Sequence, residues 1–140
     1  MPEHPVLPGA EPFSAPGGPH GALVVHGFTG CPQSMRGLAE ALAGAGFAVE
    51  LPRLPGHGTT IDDMLETGWT DWSGAAEAAY QDLAGRCDKV VVGGLSMGGT
   101  LTLWLAGFTS SYLLLGLLGN SKSFEGAIVS PLAPAWVPLV

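Results

Sequence analysis

Gly94-Leu95-Ser96-Met97-Gly98 is the segment with the clearest chemical content. A serine hydroxyl becomes a nucleophile when the backbone presents it on a tight turn and a neighbouring base takes its proton. Glycines on either side let the chain pass close to its neighbours without a Cβ clash. The bare pattern is weakly selective in a chain with 22 glycines; composition alone supplies roughly 0.2 occurrences of it. Its setting is more selective. The apolar run Val90-Val91-Val92 precedes it and a helical stretch follows, which is the strand–turn–helix context that such a serine needs. The helix behind the turn aims free N–H groups and its positive dipole end at the same point. The chemistry predicted is acyl transfer to Ser96.

A second element is His26-Gly27-Phe28-Thr29-Gly30, directly after another apolar run. Negative charge developing on an acyl oxygen needs two backbone donors, one after the nucleophile and one from an earlier strand's loop. The Met97 and Phe28 N–H groups are the pair predicted to form this oxyanion hole. Losing one such donor typically costs about 100- to 1000-fold in rate. His26 is read as a structural histidine pinning that loop. A third element, Leu51 to Thr59, is fixed by Pro52, Pro55, Gly56 and Gly58, and His57 within it is read as a loop-stabilising group. Asp71 is expected to cap the helix that follows, with Trp72 packing against the body of the protein.

The elements that must position these residues are legible from periodicity. Residues 22–26, 47–51 and 89–93 read as short buried strands. Helical spacing marks Ser34 to Ala45, with Ser34 as cap, Asp71 to Leu83, and Thr100 to Ala106. Residues 1–20 are rich in Pro and Gly and read as an extended lead-in with one short edge strand near Val6-Leu7. Gly126 to Ser130 is a candidate fourth strand. Buried strands alternating with helices predict an α/β fold on a parallel sheet, in three layers.

The composition is globular, with 46% hydrophobic and only 12% charged residues, about half the charged share of an average domain. The net charge of −7 and the absence of a basic cluster exclude nucleic acid as the expected partner. Two cysteines form no disulfide framework and fit a reducing, cytoplasmic setting; no signal peptide is evident at Met1-Pro2-Glu3-His4. Val90 to Ser121 carries no charged residue. Leu101 to Leu118 within it reaches the length of a membrane span, but Thr102, Gly107, Thr109 to Ser111 and Gly116 interrupt it, and a membrane location is not expected.

Taken in order, His26-Gly27-Phe28-Thr29-Gly30, the Pro52 to Thr59 loop, Asp71-Trp72 and Gly94-Leu95-Ser96-Met97-Gly98-Gly99 resemble the α/β-hydrolase superfamily, and within it bacterial carboxylesterases and monoacylglycerol lipases. The resemblance covers about residues 20–106. It implies Ser96 as nucleophile, Phe28 and Met97 as oxyanion donors, acyl esters as small-molecule substrates, and no cofactor or metal. In this superfamily the acid and then the histidine follow the serine, yet residues 97–140 contain no His and no Asp, and Glu125 is the one carboxylate there. The sequence therefore reads as the N-terminal part, residues 21–140, of a single domain incomplete at its C-terminus, with 107–125 atypical of the superfamily. The expectation is a chain with little or no turnover by itself; the alternative is a non-catalytic remnant that binds ligands or partners. An open sheet edge is expected to favour self-association.

Overall fold

The structure, a computed structural model, describes residues 4–116, with side chains as far as residue 107. Its centre is β2 (His20–Val25), whose residues from Gly21 onward are buried. Side chains alternate across a strand. Leu23 and Val25 accordingly enter one core cluster, and Ala22 and Val24 enter another on the opposite face. A strand covered on both sides has no use for polar alternation, which is why this run is continuously apolar.

Two strands flank β2 in parallel: β3 (Ala48–Leu51) on one side and β4 (Lys89–Gly94) on the other. β1 (Phe13–Ala15) adds to β3 antiparallel, with Phe13 opposite Leu51, so the strand order is β1-β3-β2-β4. α1 (Arg36–Gly44) covers one face, where Ala39 is fully buried near Val49 and Leu51. α3 (Trp69–Arg86) and α4 (Met97–Gly116) cover the other through Ala76, Tyr80, Leu83, Leu101 and Leu105. The three layers match the fold class read from the sequence, with the antiparallel edge strand as the one departure from a wholly parallel sheet.

Local boundaries differ for identifiable reasons. The edge strand lies at 13–15, not at Val6-Leu7. Those two residues are exposed, and the Leu7 N–H instead donates to Gly58 O at 2.8 Å. Ser34 does not cap α1: it belongs to a 3-10 turn (Pro32–Ser34), and its hydroxyl donates back to Cys31 O. Asp71 is the third residue of α3 and not its cap. From there its carboxylate accepts the Gly68 N–H at 2.9 Å, one half of a capping box. A short helix, α2 (Ile61–Leu65), lies between the Leu51 to Thr59 loop and α3, where no element was expected. Thr60 caps it by accepting the Asp63 N–H, and Asp62 and Asp63 complement its first turn. α4 begins three residues earlier than Thr100 and continues past Ala106. The candidate strand at 126–130 and the end of the 107–125 stretch lie outside the described residues. Among the described residues no helix is long and apolar enough to cross a membrane.

Candidate active site

The turn between β4 and α4 is built around Ser96. Its backbone is left-handed, with φ of 54°, and Thr29 in the loop after β2 is the other such non-glycine residue among those described, with φ of 59°. Each such residue costs of order 1–3 kcal/mol and persists only where its surroundings hold it. Here they do. A Cβ on Gly98 would lie 2.2 Å from Val25 O and 2.6 Å from His26 O, and one on Gly94 would lie 2.3 Å from Gly98 C. Main chain therefore touches main chain at both positions, and only glycine fits. The Leu95 N–H donates to Val25 O at 3.1 Å, the Gly98 N–H to Leu95 O at 2.9 Å, and the Thr100 N–H to Ser96 O at 3.1 Å. The turn is thereby tied to the end of β2 and to the first turn of α4.

The loop after β2 passes directly beside it. A Cβ on Gly27 would be 3.1 Å from Leu95 O and 3.5 Å from Ser96 Cβ. Phe28 is the residue after Gly27, and Met97 the residue after Ser96, which is itself exposed. Neither the Phe28 nor the Met97 N–H donates to a protein acceptor among the described residues. For Met97 this is the ordinary condition of a first helical residue.

Two buried histidines hold the loops from below. His26 is fully buried; its Nε2 accepts the Leu54 N–H at 3.1 Å, and its Nδ1 lies 3.0 Å from Gly27 O. An acceptor at Nε2 places the proton of the neutral ring on Nδ1, which donates to Gly27 O. Burial lowers the His26 pKa below its ordinary value; the bond to Gly27 opposes this, while nearby His57 and Arg53 add to it. His57 is equally buried, with Nδ1 3.0 Å from Pro55 O. Pro55 O also accepts the Trp72 indole N–H at 3.1 Å and the Thr67 hydroxyl at 3.2 Å. Arg53 donates to His57 O at 2.9 Å. The Phe28 ring rests 5.8 Å from the His57 ring and 5.7 Å from Trp72, centroid to centroid.

The structure thus brings Ser96 and the Gly27-Phe28 loop together, and gives His26 and His57 structural bonds of their own. No histidine or carboxylate hydrogen-bonds to Ser96 among the described residues. No group of three or more His, Cys, Asp or Glu among those residues is placed to hold a metal ion. Sequence reasoning missed Thr29, Leu54 and Thr67. A Thr with positive φ leaves no trace in composition or periodicity, and the other two act through contacts with loops distant in the chain.

The sequence profile of the Alpha/beta hydrolase family matches residues 22–140, and the chain belongs to that family. Over 104 residues it is 60% identical to a thermostable monoacylglycerol lipase from Bacillus sp. (strain H-257), covering 74% of this chain and 42% of the relative. A carboxylesterase from Bacillus subtilis (strain 168) is 33% identical over 100 residues, covering 71% and 40% respectively. A solved structure from work on LipS and LipT, two metagenome-derived lipolytic enzymes, superposes with a TM-score of 0.75 at 52% identity, covering 76% of this chain and 44% of that one. The chain spans about two-fifths of the length of these relatives.

Proposed function

We propose that this chain carries the nucleophile and the oxyanion hole of a serine-dependent carboxylic-ester hydrolase. Ser96 Oγ attacks the acyl carbon as its proton passes to a base, and the Phe28 and Met97 N–H groups receive the charge on the former carbonyl oxygen. The alcohol leaves with a proton, and water then cleaves the acyl-serine to release the acid. No cofactor enters this sequence. The observation that carries the reading is the left-handed Ser96 between strand and helix, with Gly27 pressed against it. Such a turn is strained, and the strain is accounted for if exposure of that hydroxyl is its purpose.

The relatives' names point to the substrate class, carboxylic esters, with monoacylglycerols among them. The two cysteines are both free, which fits a cytoplasmic enzyme. The base and acid have no counterpart after Ser96, and loss of the base costs on the order of a million-fold in turnover. The 140 residues alone are therefore expected to show negligible ester turnover.

A fluorophosphonate probe tests the assignment through the oxyanion hole, which by itself leaves roughly a thousand-fold over the uncatalysed rate. Prolonged incubation followed by peptide mass mapping is expected to place the adduct on Ser96 and to find none in Ser96→Ala. An adduct on another serine in preference to Ser96, or an unchanged adduct pattern in Ser96→Ala, would falsify the reading.

A further inference from the structure

The peptide that joins Gly27 to Phe28 is held by its oxygen. Gly27 O lies 3.0 Å from His26 Nδ1 and accepts the Gly30 N–H at 3.1 Å. The bond is trans, and in a planar trans peptide the C=O and the N–H point in opposite directions. Whatever fixes the direction of Gly27 O therefore fixes the direction of the Phe28 N–H. That N–H points away from both groups on Gly27 O, and it donates to no protein acceptor among the described residues.

Gly30 does not hold this carbonyl unaided. Its bond to Gly27 O closes a four-residue turn in which Thr29 stands third, with φ of 59°. That place suits glycine or asparagine, and a β-branched residue there is strained. One neutral hydrogen bond contributes no more, net, than one such residue costs. The turn needs a second hold, and the His26 ring supplies it.

The ring is itself anchored. His26 is fully buried, and its Nε2 accepts the Leu54 N–H at 3.1 Å. Leu54 is fully buried in the core cluster that includes Leu23, Val25 and Leu101. With Nε2 as acceptor, the neutral ring carries its proton on Nδ1 and donates it to Gly27 O. A chain of fixed contacts thus runs from the core through Leu54 and the imidazole to one carbonyl. The residue bearing that carbonyl is the one pressed against the serine turn, where an added Cβ would lie 3.1 Å from Leu95 O.

We propose that His26 is a positioning residue for ester hydrolysis: its Nδ1–H, bonded to Gly27 O, aims the Phe28 N–H as an oxyanion donor. This rests on Ser96 as nucleophile and Phe28 as donor, and adds the group that sets the donor's direction. The imidazole moves no proton in the reaction; it acts through the plane of one peptide.

Two substitutions in the full chain separate the two bonds of the ring. Asn places an amide N–H where Nδ1 stands, keeping the Gly27 bond and leaving Leu54 without an acceptor. Gln places an amide oxygen where Nε2 stands, keeping the Leu54 bond and leaving Gly27 O without its side-chain donor. Each variant loses one buried hydrogen bond, so a merely structural histidine would make the two alike. Phosphonylation of Ser96 is expected to slow at least about ten-fold in His26→Gln, short of the roughly 100- to 1000-fold cost of a missing donor, and to stay within about three-fold of wild type in His26→Asn. The residual dipolar coupling of the Phe28 N–H reads its direction without any reaction. It is expected to change in His26→Gln and to keep the wild-type value in His26→Asn, with the couplings of β2 and β4 unaltered in both. An unchanged Phe28 coupling in His26→Gln, a changed one in His26→Asn, or equal slowing of phosphonylation by the two substitutions overturns the proposal. A wild-type chain that takes no phosphonate at Ser96 speaks against the nucleophile instead, and the Phe28 coupling still decides the role of His26.

Discussion

Ser96 sits in its left-handed conformation because two glycines let three segments of backbone meet. Gly98→Ala would set a methyl group 2.2 Å from Val25 O, and the obstacle is main chain that no rotamer change relieves. A loss of about 3 kcal/mol or more in unfolding free energy is expected, at the diagnostic end of single-substitution effects, together with loss of phosphonate labelling. Gly74, inside α3, has nothing within 4 Å of its would-be Cβ. Gly74→Ala should therefore gain about 0.5–1 kcal/mol from helix propensity. Thermal melts of the two variants check the contrast.

His26 predicts how stability follows pH. Its folded pKa lies below the ordinary value because burial disfavours the charged ring, so between the two values the unfolded chain binds more protons. The His26 contribution is therefore complete above about pH 6.5, the unfolded histidine value, and is lost as pH falls below it toward the folded pKa. Protonation would also remove the acceptor used by the Leu54 N–H. Urea titrations from pH 7.5 to 5 should show this decline, and His26→Gln should flatten it at some cost in overall stability. A wild-type chain whose stability is level across that range would contradict the assignment.

Among the elements, α3 connects the site to the body of the protein. Its first turn places Trp72 so that the indole reaches Pro55 O and the ring meets Phe28 and His57. Its last turn carries Arg86, which pairs with Asp82 on the same helix and with Glu50 on β3. The Arg86 pairs are partly exposed and contribute little by the usual measure of surface ion pairs. The beginning of the helix matters more. Asp71→Ala removes the acceptor for the Gly68 N–H and should cost about 1 kcal/mol, as loss of a helix-terminal cap does. Amide exchange should quicken locally at Gly68 to Trp72. Uniform acceleration across the sheet would mean that the carboxylate supports more than the helix end.

Across the whole molecule, β4 is one of the two terminal strands of the sheet among the described residues, β1 being the other. Leu95 and Leu103, on the turn and helix that follow it, are about half exposed. A terminal strand with apolar surface nearby is a template for association. The net charge of −7 opposes this at low ionic strength and is screened as salt rises. Sedimentation is therefore expected to show self-association that grows with protein concentration and is stronger at about 0.5 M than at about 0.05 M salt, where the screening length falls several-fold. A single monomeric species at both salt concentrations would rule it out.

Much of this was legible in the residues themselves. The continuous apolar run of β2, the helical spacing of Leu38, Ala39 and Leu42, and the glycines around Ser96 are short-range patterns, and each is a local consequence of burial or of backbone geometry. They determined the α/β layers, the strand–turn–helix around Ser96, and the order of the loops. Other features depend on which atoms meet across the chain. The Val25 carbonyl that makes Gly98 obligatory, the Leu54 N–H that fixes the His26 tautomer, and the Thr67 and Trp72 donors gathered on Pro55 O are contacts between segments far apart in sequence. So is the contrast between His26 and His57, two buried histidines in glycine-bounded loops. Tertiary structure alone gave both nitrogens of the His26 ring a partner and left the Nε2 of His57 buried without one among the described residues, because hydrogen bonding depends on position in space and not on residue type.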